Sequence, residues 1–356
     1  MKPRYPIPVL AALVLVASLS GTSAAEDFIS RKEALARSNL VVVSGDHNEQ
    51  WRVCATKNRA YDLRKFTSSA NFGDLSNLSI GKDCGAARTV VVGGTVTGTI
   101  SHSLTWNEVK SQYDADGLRF EGKGWLASFG LSVQDVEDGF APRVAEGTEQ
   151  DNTIPFLLKG AYMDWIRDDS IEDDDLMPGV IKNTLIDGTD RFLSARPSAS
   201  VTSTNHSMVV TITNVLVHMK AMPNERDKAD GIGFGGIFKW SDAAGEVEMS
   251  NSIFLLDEQP LTDEPFPPGT YSHVILVLGP DFVGRYRTSL PDGVKVTRKL
   301  WVWRKARSAW LDAHGRSASA LQRSDASASD GTRVRLGGGG MGGARALPPG
   351  LAGPLR

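Results

Sequence analysis

The stretch richest in groups able to do chemistry is Asp164 to Asp175. There Asp164, Asp168, Asp169, Glu172, Asp173, Asp174 and Asp175 place seven carboxylates in twelve positions, with Arg167 the only base. Carboxylates this crowded push each other's pKa values apart, so that one can donate a proton while another stays ionised. A hard cation is the other way to relieve the repulsion, because Ca²⁺ takes several oxygen ligands. Asp169, Glu172 and Asp173 are the ligands expected of such an ion. The stretch lacks the glycine and the closing glutamate of an EF-hand loop, so composition rather than motif carries that expectation. The plain alternative is a solvated acidic turn. Other chemistry has less support: the sequence holds no Gly-x-Ser-x-Gly elbow, no phosphate loop and no Cys/His zinc spacing.

Acids far apart in sequence need a scaffold that stacks them. Between Trp125 and Gly279 the apolar residues alternate in short runs bounded by Gly, Asn, Asp and Pro, the pattern of many short strands. The runs align on one polar position: Leu131-Ser-Val-Gln-Asp135-Val136, Tyr162-Met-Asp164-Trp165-Ile166, Val180-Ile-Lys-Asn183-Thr-Leu185-Ile186, Val210-Thr-Ile-Thr-Asn214-Val-Leu216-Val217 and Val247-Glu-Met-Ser-Asn251-Ser-Ile253-Phe254. Spacings of 29, 19, 31 and 37 residues between these anchors are too irregular for a propeller but suit a solenoid whose loops vary in length. Stacked coils lie about 4.8 Å apart, so Asp135, Asp164, Asn183, Asn214 and Asn251 are expected to form a hydrogen-bonded ladder. Four residues past the anchor come Asp168, Asp187 and His218, and Asp138 joins them if its coil is one residue shorter. Such a column of acids and a histidine has the parts for breaking a glycosidic bond. The competing fold is an antiparallel β-sandwich, but Asp138-Gly139 and Asp187-Gly188 recur at matching places, as stacked turns would.

This pattern resembles the right-handed parallel β-helix of the pectin-lyase-like superfold, over roughly Thr89 to Leu278. The resemblance implies an all-β solenoid with helical caps at its ends. Residues Glu26 to Arg37, with Phe28, Ile29 and Leu35, fit an N-terminal lid, and Leu300, Trp303 and Trp310 at helical spacing fit a terminal helix. It also implies an extracellular polysaccharide as partner, cleaved by hydrolysis or elimination on an exposed strand face. In β-helix lyases a basic residue abstracts the proton beside a uronate, and by that resemblance Arg196 and His218 are candidates. Arg143 and Arg167 are candidates for holding a sugar carboxylate in a bidentate fork. No complete catalytic signature is present: Asp168-Asp169 is the only matching piece of the polygalacturonase set, and Trp165-Ile166-Arg167-Asp168 only approaches the pectate-lyase segment. The expected function is an exported β-helix that binds a polysaccharide and, if it is an enzyme, cleaves it as a lyase or glycoside hydrolase with Asp168, Asp187 and His218 as the working column. The alternative is a noncatalytic rod at a surface or in a matrix. A groove flanked by long loops, such as Ala221 to Gly233 and Leu255 to Tyr271, would favour the enzyme.

The ends of the chain bear on location. Lys2 and Arg4, an apolar run from Val9 to Leu19 and Ser23-Ala24-Ala25 read as a secretory signal peptide over residues 1–25. The run is shorter than the ~20 residues that span a bilayer, so no membrane anchor is expected. Cys54 and Cys84, the only cysteines, are expected to pair in the oxidising periplasm or medium. One β-helix domain is expected over 26–312, followed by a flexible tail over 313–356 rich in Ser, Ala, Gly and Arg. Hydrophobic residues make up 41% of the chain and glycine adds 36 residues, enough for a sizeable core. A net charge of −3 argues against nucleic acid as principal partner, and a monomer is expected.

Overall fold

A computed structural model describes residues 28–69, 76–112, 115–145, 154–197, 204–224 and 231–316. The signal peptide expected over 1–25, and the expected tail of 313–356 from residue 317 onward, lie outside these residues.

The chain winds as a parallel β-solenoid. Its long parallel sheet holds 21 strands, and the only antiparallel pair among the described residues is Met222–Pro223 with Ile232–Gly233. An antiparallel sandwich is thereby excluded. Pairing falls into three faces. The first runs through Leu126–Phe129, Phe156–Lys159, Gly179–Lys182, Asn205–Thr213 and Ala244–Ser250. The second stacks Ser132–Val136, the start of Tyr162–Glu172, the start of Leu185–Ala195, then Leu216–Met219 and Ile253–Leu256. Asp116–Gly122, Asp138–Val144, the later parts of those two long strands and Gly236–Trp240 form the third. Alternate residues point inward, and phenylalanines from successive coils meet inside: Phe140 and Phe156 centroids are 5.7 Å apart, Phe192 and Phe238 5.9 Å.

The polar anchors have a backbone cause. Gly130, Gly160, Asn183, Asn214, Asn251 and His273 all hold φ between +50° and +71°. They stack through N–H donations from Gly130 to the Lys159 carbonyl, Gly160 to Lys182, Asn183 to Thr213, Asn214 to Ser250 and Asn251 to Ser272. Glycine and asparagine enter this left-handed region most readily, and a left-handed residue turns the strand sharply from the first face to the second. The side-chain ladder is shorter than expected: Asn214 Nδ2 donates to Asn183 Oδ1 at 3.2 Å. Asp135 and Asp164 do not belong to this column. Asp135 and Trp165, with φ of +54° and +53°, turn the next corner, between the second and third faces. The expected five-residue ladder therefore joins residues at or beside two different corners.

Helices lie along the flanks. Helix α1, Arg31–Leu35, starts with a Ser30/Glu33 capping box. With Phe28 and Ile29 it packs on Val90, Val92, Ala127, Phe129 and Leu157, outward residues of the first face, and Phe28 meets Trp125 edge-on at 5.5 Å. Helix α2, Trp106–Gln112, is inserted between coils. Helix α3, Trp301–Ala313, buries Trp303, Trp310 and Leu311, and Trp310 Nε1 donates to the Asn183 carbonyl at 2.8 Å. No helix among the described residues is long and apolar enough to cross a membrane.

A disulfide joins Cys54 to Cys84, with Cα atoms 6.1 Å apart, across the adjacent coils of Trp51–Val53 and Leu78–Ile80. It closes a loop with a sequence separation of 30 residues. Loop-closure entropy for that length gives about 3.6 kcal/mol of stabilisation. The double substitution Cys54→Ser/Cys84→Ser should lower the unfolding free energy by that amount in urea titrations. A loss under about 1 kcal/mol would show that the N-terminal coils unfold outside the main transition.

Candidate functional site

Four expected acids, Asp138, Asp168, Asp169 and Glu172, meet where the second face turns into the third. The register sets Asp116 beside Asp138 and Asp169 beside Arg191. The Asp169 N–H donates to Asp138 Oδ1 at 2.8 Å. Asp138, Asp168 and Asp169 each offer a carboxylate oxygen, all within 4.8 Å of one another, and Asp116, Asp138 and Glu172 form a second such group.

Cations from distant parts of the chain cover these acids. Lys110 on α2 reaches Asp168 Oδ2 at 3.0 Å and also pairs with Glu137. Lys239 Nζ donates to Asp169 Oδ2 at 2.9 Å. Arg143 pairs with Glu172 and, at 2.7 Å, with Asp174. Arg191 reaches Glu264 at 3.2 Å. Asp168 and Asp169 are 2% and 0% exposed, whereas the side chains of Lys110 and Lys239 are 34% and 24% exposed. The acids thus sit one lysine side chain below solvent.

Their ionisation diverges. Burial pushes the Asp138 carboxyl well above its usual range, and Glu172, Glu137 and Asp168 push the same way. Burial would raise Asp168 too, but Lys110, Lys239 and Arg191 outweigh it and hold its pKa low. Asp169 lies between, raised to about 6 by burial and by Asp168. Burial, assisted by Asp174, Asp169 and Asp116, lifts Glu172 to about 8 against the pull of Arg143. Adjacent carboxyls held in opposite protonation states form the arrangement that acid–base catalysis uses.

Loops flank this corner. Arg167, 1% exposed, donates from Nη2 to the carbonyls of Leu104, ahead of α2, and Pro223, in the Met222–Pro223 hairpin, both at 2.8 Å. It fastens two inserted segments together rather than presenting a fork to solvent. Asn224 Nδ2 and the Gly235 N–H donate to Asp190 Oδ1 at 3.2 and 2.9 Å, and Thr262 Oγ1 donates to the Gly235 carbonyl at 2.8 Å. Of the two long segments expected beside a groove, Asn224 of the first thus reaches Asp190, and Thr262 and Glu264 of the second reach Gly235 and Arg191; residues 225–230 lie outside the described residues.

No family model, curated protein or solved structure matches this chain.

The remaining expected residues lie elsewhere. Asp187 and His218 do follow one another, but in the column of Asp164 at the start of the second face. Asp138 and Asp168 stand one corner further on, so the expected four-residue column is two pairs offset by a corner. The physical reason is that Asn183 and Asn214 turn the first corner, whereas Asp135 turns the second and Asp164, paired with Gln134, stands one residue before it. Asp138-Gly139 and Asp187-Gly188 lie within strands and not in turns. Helix α3 covers the Asp187 column: Arg307 Nε donates to both Asp187 oxygens at 2.8 and 2.7 Å, and His218, 6.0 Å from the Trp303 ring, pairs with Asp257 at 2.8 Å. Arg196 is exposed, just beyond the strand Leu185–Ala195. Asp173 accepts from the Met177 N–H at 2.9 Å and is in neither carboxylate group. Asp169, Glu172 and Asp173 thus do not make one ligand set for Ca²⁺, and Lys110 and Lys239 already supply positive charge at the tighter group. The lysines, Glu137, Asp190 and Arg191 were not foreseen.

Proposed function

We propose that the protein is an exported β-helix, related in architecture to the pectin-lyase-like superfold, that cleaves a polysaccharide with the carboxylates of Asp138, Asp168 and Asp169. The observation that carries this reading is geometric: three carboxylates from two successive coils lie within 4.8 Å of one another beneath two partly exposed lysines. Charges gathered in a fold interior carry a desolvation cost that apolar side chains would not, so a cluster kept there is a functional candidate. Asp138 suits the acid that protonates the leaving oxygen, and Asp168 the base. Lys110 and Lys239 would have to swing aside for a sugar to reach them. The chain supplies the counter-charge itself, so Ca²⁺ is not needed. The signal-like N-terminus and the disulfide support export to the periplasm or medium.

The test is a panel of uronate, sulfated and neutral polysaccharides assayed for new reducing ends and unsaturated products, with and without chelator. Asp168→Asn, assayed well below its own unfolding midpoint because it removes one of the two carboxylates paired with Lys110, should lower the rate about 100-fold or more, and Asp187→Asn should retain it. Full activity in Asp168→Asn would remove the assignment. One observation favours a second reading, a noncatalytic rod: these acids are almost fully covered. Glycan retention with no product from any polymer would select the rod.

A further inference from the structure

A cleft of about 610 Å³ opens on another part of the solenoid, between the start of α1, the first face and the end of α3. Its floor is made by Phe129, Leu157 and Val180, outward residues of three successive coils, and Phe28 and Ile29 form one apolar wall. Lys159 and Lys182 stand on its rim as directly paired neighbours in adjacent strands. Adjacent parallel strands lie about 4.8 Å apart, and like charges facing each other at that distance are destabilising. Both lysines are exposed, and neither makes an ion pair or side-chain hydrogen bond among the described residues. Beside the lysines the corner is bare: Gly130 and Gly160 occupy the position that Asn183 fills one coil later, and a side chain on Gly130 would project into open space. His314 closes that side.

Arg31 and Glu33 of α1, one charge of each sign, also line the cleft, so the two lysines leave its edge positive overall; with an apolar floor and a volume within the range of small-molecule sites, that defines the occupant by its chemistry. We propose that this cleft binds a small amphipathic carboxylate, with its apolar body on Phe129, Leu157 and Val180 and its anionic group between Lys159 and Lys182. Polymer cleavage at the carboxylate centre neither requires nor implies this site.

Naphthalene-2-carboxylate and its neutral carboxamide are matched probes for calorimetric titration of the full chain. The carboxylate should bind roughly 5–10-fold more tightly, as two surface charge contacts allow, and lose that advantage as salt is raised. Lys159→Gln/Lys182→Gln should equalise the two probes with unfolding unchanged, since both side chains are exposed. Leu157→Asn should weaken both. Equal affinity for the two probes in the unaltered protein, no binding of either, or an undiminished preference in the double lysine variant would each overturn the proposal. Asp168→Asn, which disables the carboxylate centre, should leave this binding intact, so the failure of one site is distinguishable from that of the other.

Discussion

Replacing Arg143 by methionine should destabilise the fold by about 3–5 kcal/mol near pH 10, well above the pKa of Glu172, and by distinctly less near pH 5. Methionine keeps much of the volume and removes the charge that serves Glu172 and Asp174. The difference between the two pH values follows from Glu172, whose pKa rises from an ordinary 4.5 to about 8 in the folded chain. A carboxyl raised on folding binds a proton more tightly in the native state. Its contribution to stability is complete below about pH 4.5 and disappears as pH climbs through 8. Near pH 5 Glu172 is therefore neutral in the native state and asks little of Arg143. Above pH 8 it must ionise beside a vacated cation site or hold its proton against the solvent. The loss at pH 5 is not zero, because Arg143 also serves Asp174. Urea titrations of both proteins at the two pH values give the comparison, and an equal loss at both would show that Glu172 is not the group responsible. Glu172→Gln in the Arg143→Met background should recover most of the high-pH loss.

What could be read from the chain and what could not divide along a physical line. Strand alternation, stacking of coils, the Asn183–Asn214–Asn251 corner, the acidic concentration and its Asp138 neighbour are local or periodic properties, and periodicity survives in sequence. The corner assignment failed because a polar anchor was sought where the backbone needs only a left-handed residue. Gly130 and Gly160 meet that need as well as asparagine does. Aligning Lys159-Gly160-Ala161-Tyr162 with Lys182-Asn183-Thr184-Leu185 puts Asp164 beside Asp187 on the second face and Asp168 on the third face. The cations were out of reach for another reason. Lys239 meets Asp169 across 70 residues and Arg307 meets Asp187 across 120, and neither lysine nor arginine stands at a periodic position that would announce its partner. Inserted segments such as α2 interrupt the period, and Lys110, the cation nearest Asp168, is carried by one of them.

Lys239→Met should likewise lower the unfolding free energy by about 3–5 kcal/mol above pH 7, by leaving Asp169 buried without its cation. Burial and Asp168 already hold Asp169 at about 6, with Lys239 and Arg191 restraining the rise. Without Lys239 the carboxyl climbs further and remains protonated at neutral pH, so the loss should shrink as pH falls below 6. The double variant Lys239→Met/Asp169→Leu decides what the pair is for. Removing both charges together spares their desolvation, and exchanges of this kind are commonly neutral or stabilising by about 1–4 kcal/mol. If the double variant regains or exceeds the starting stability while polysaccharide cleavage falls with Asp169 gone, then the ion pair lowers stability and persists because the reaction uses it. A double variant as unstable as Lys239→Met alone would mean that Lys239 and Asp169 bind the lids to the solenoid, and the carboxylate centre would then be a structural joint between coils. Denaturation midpoints and initial rates measured on the same three proteins separate the two outcomes.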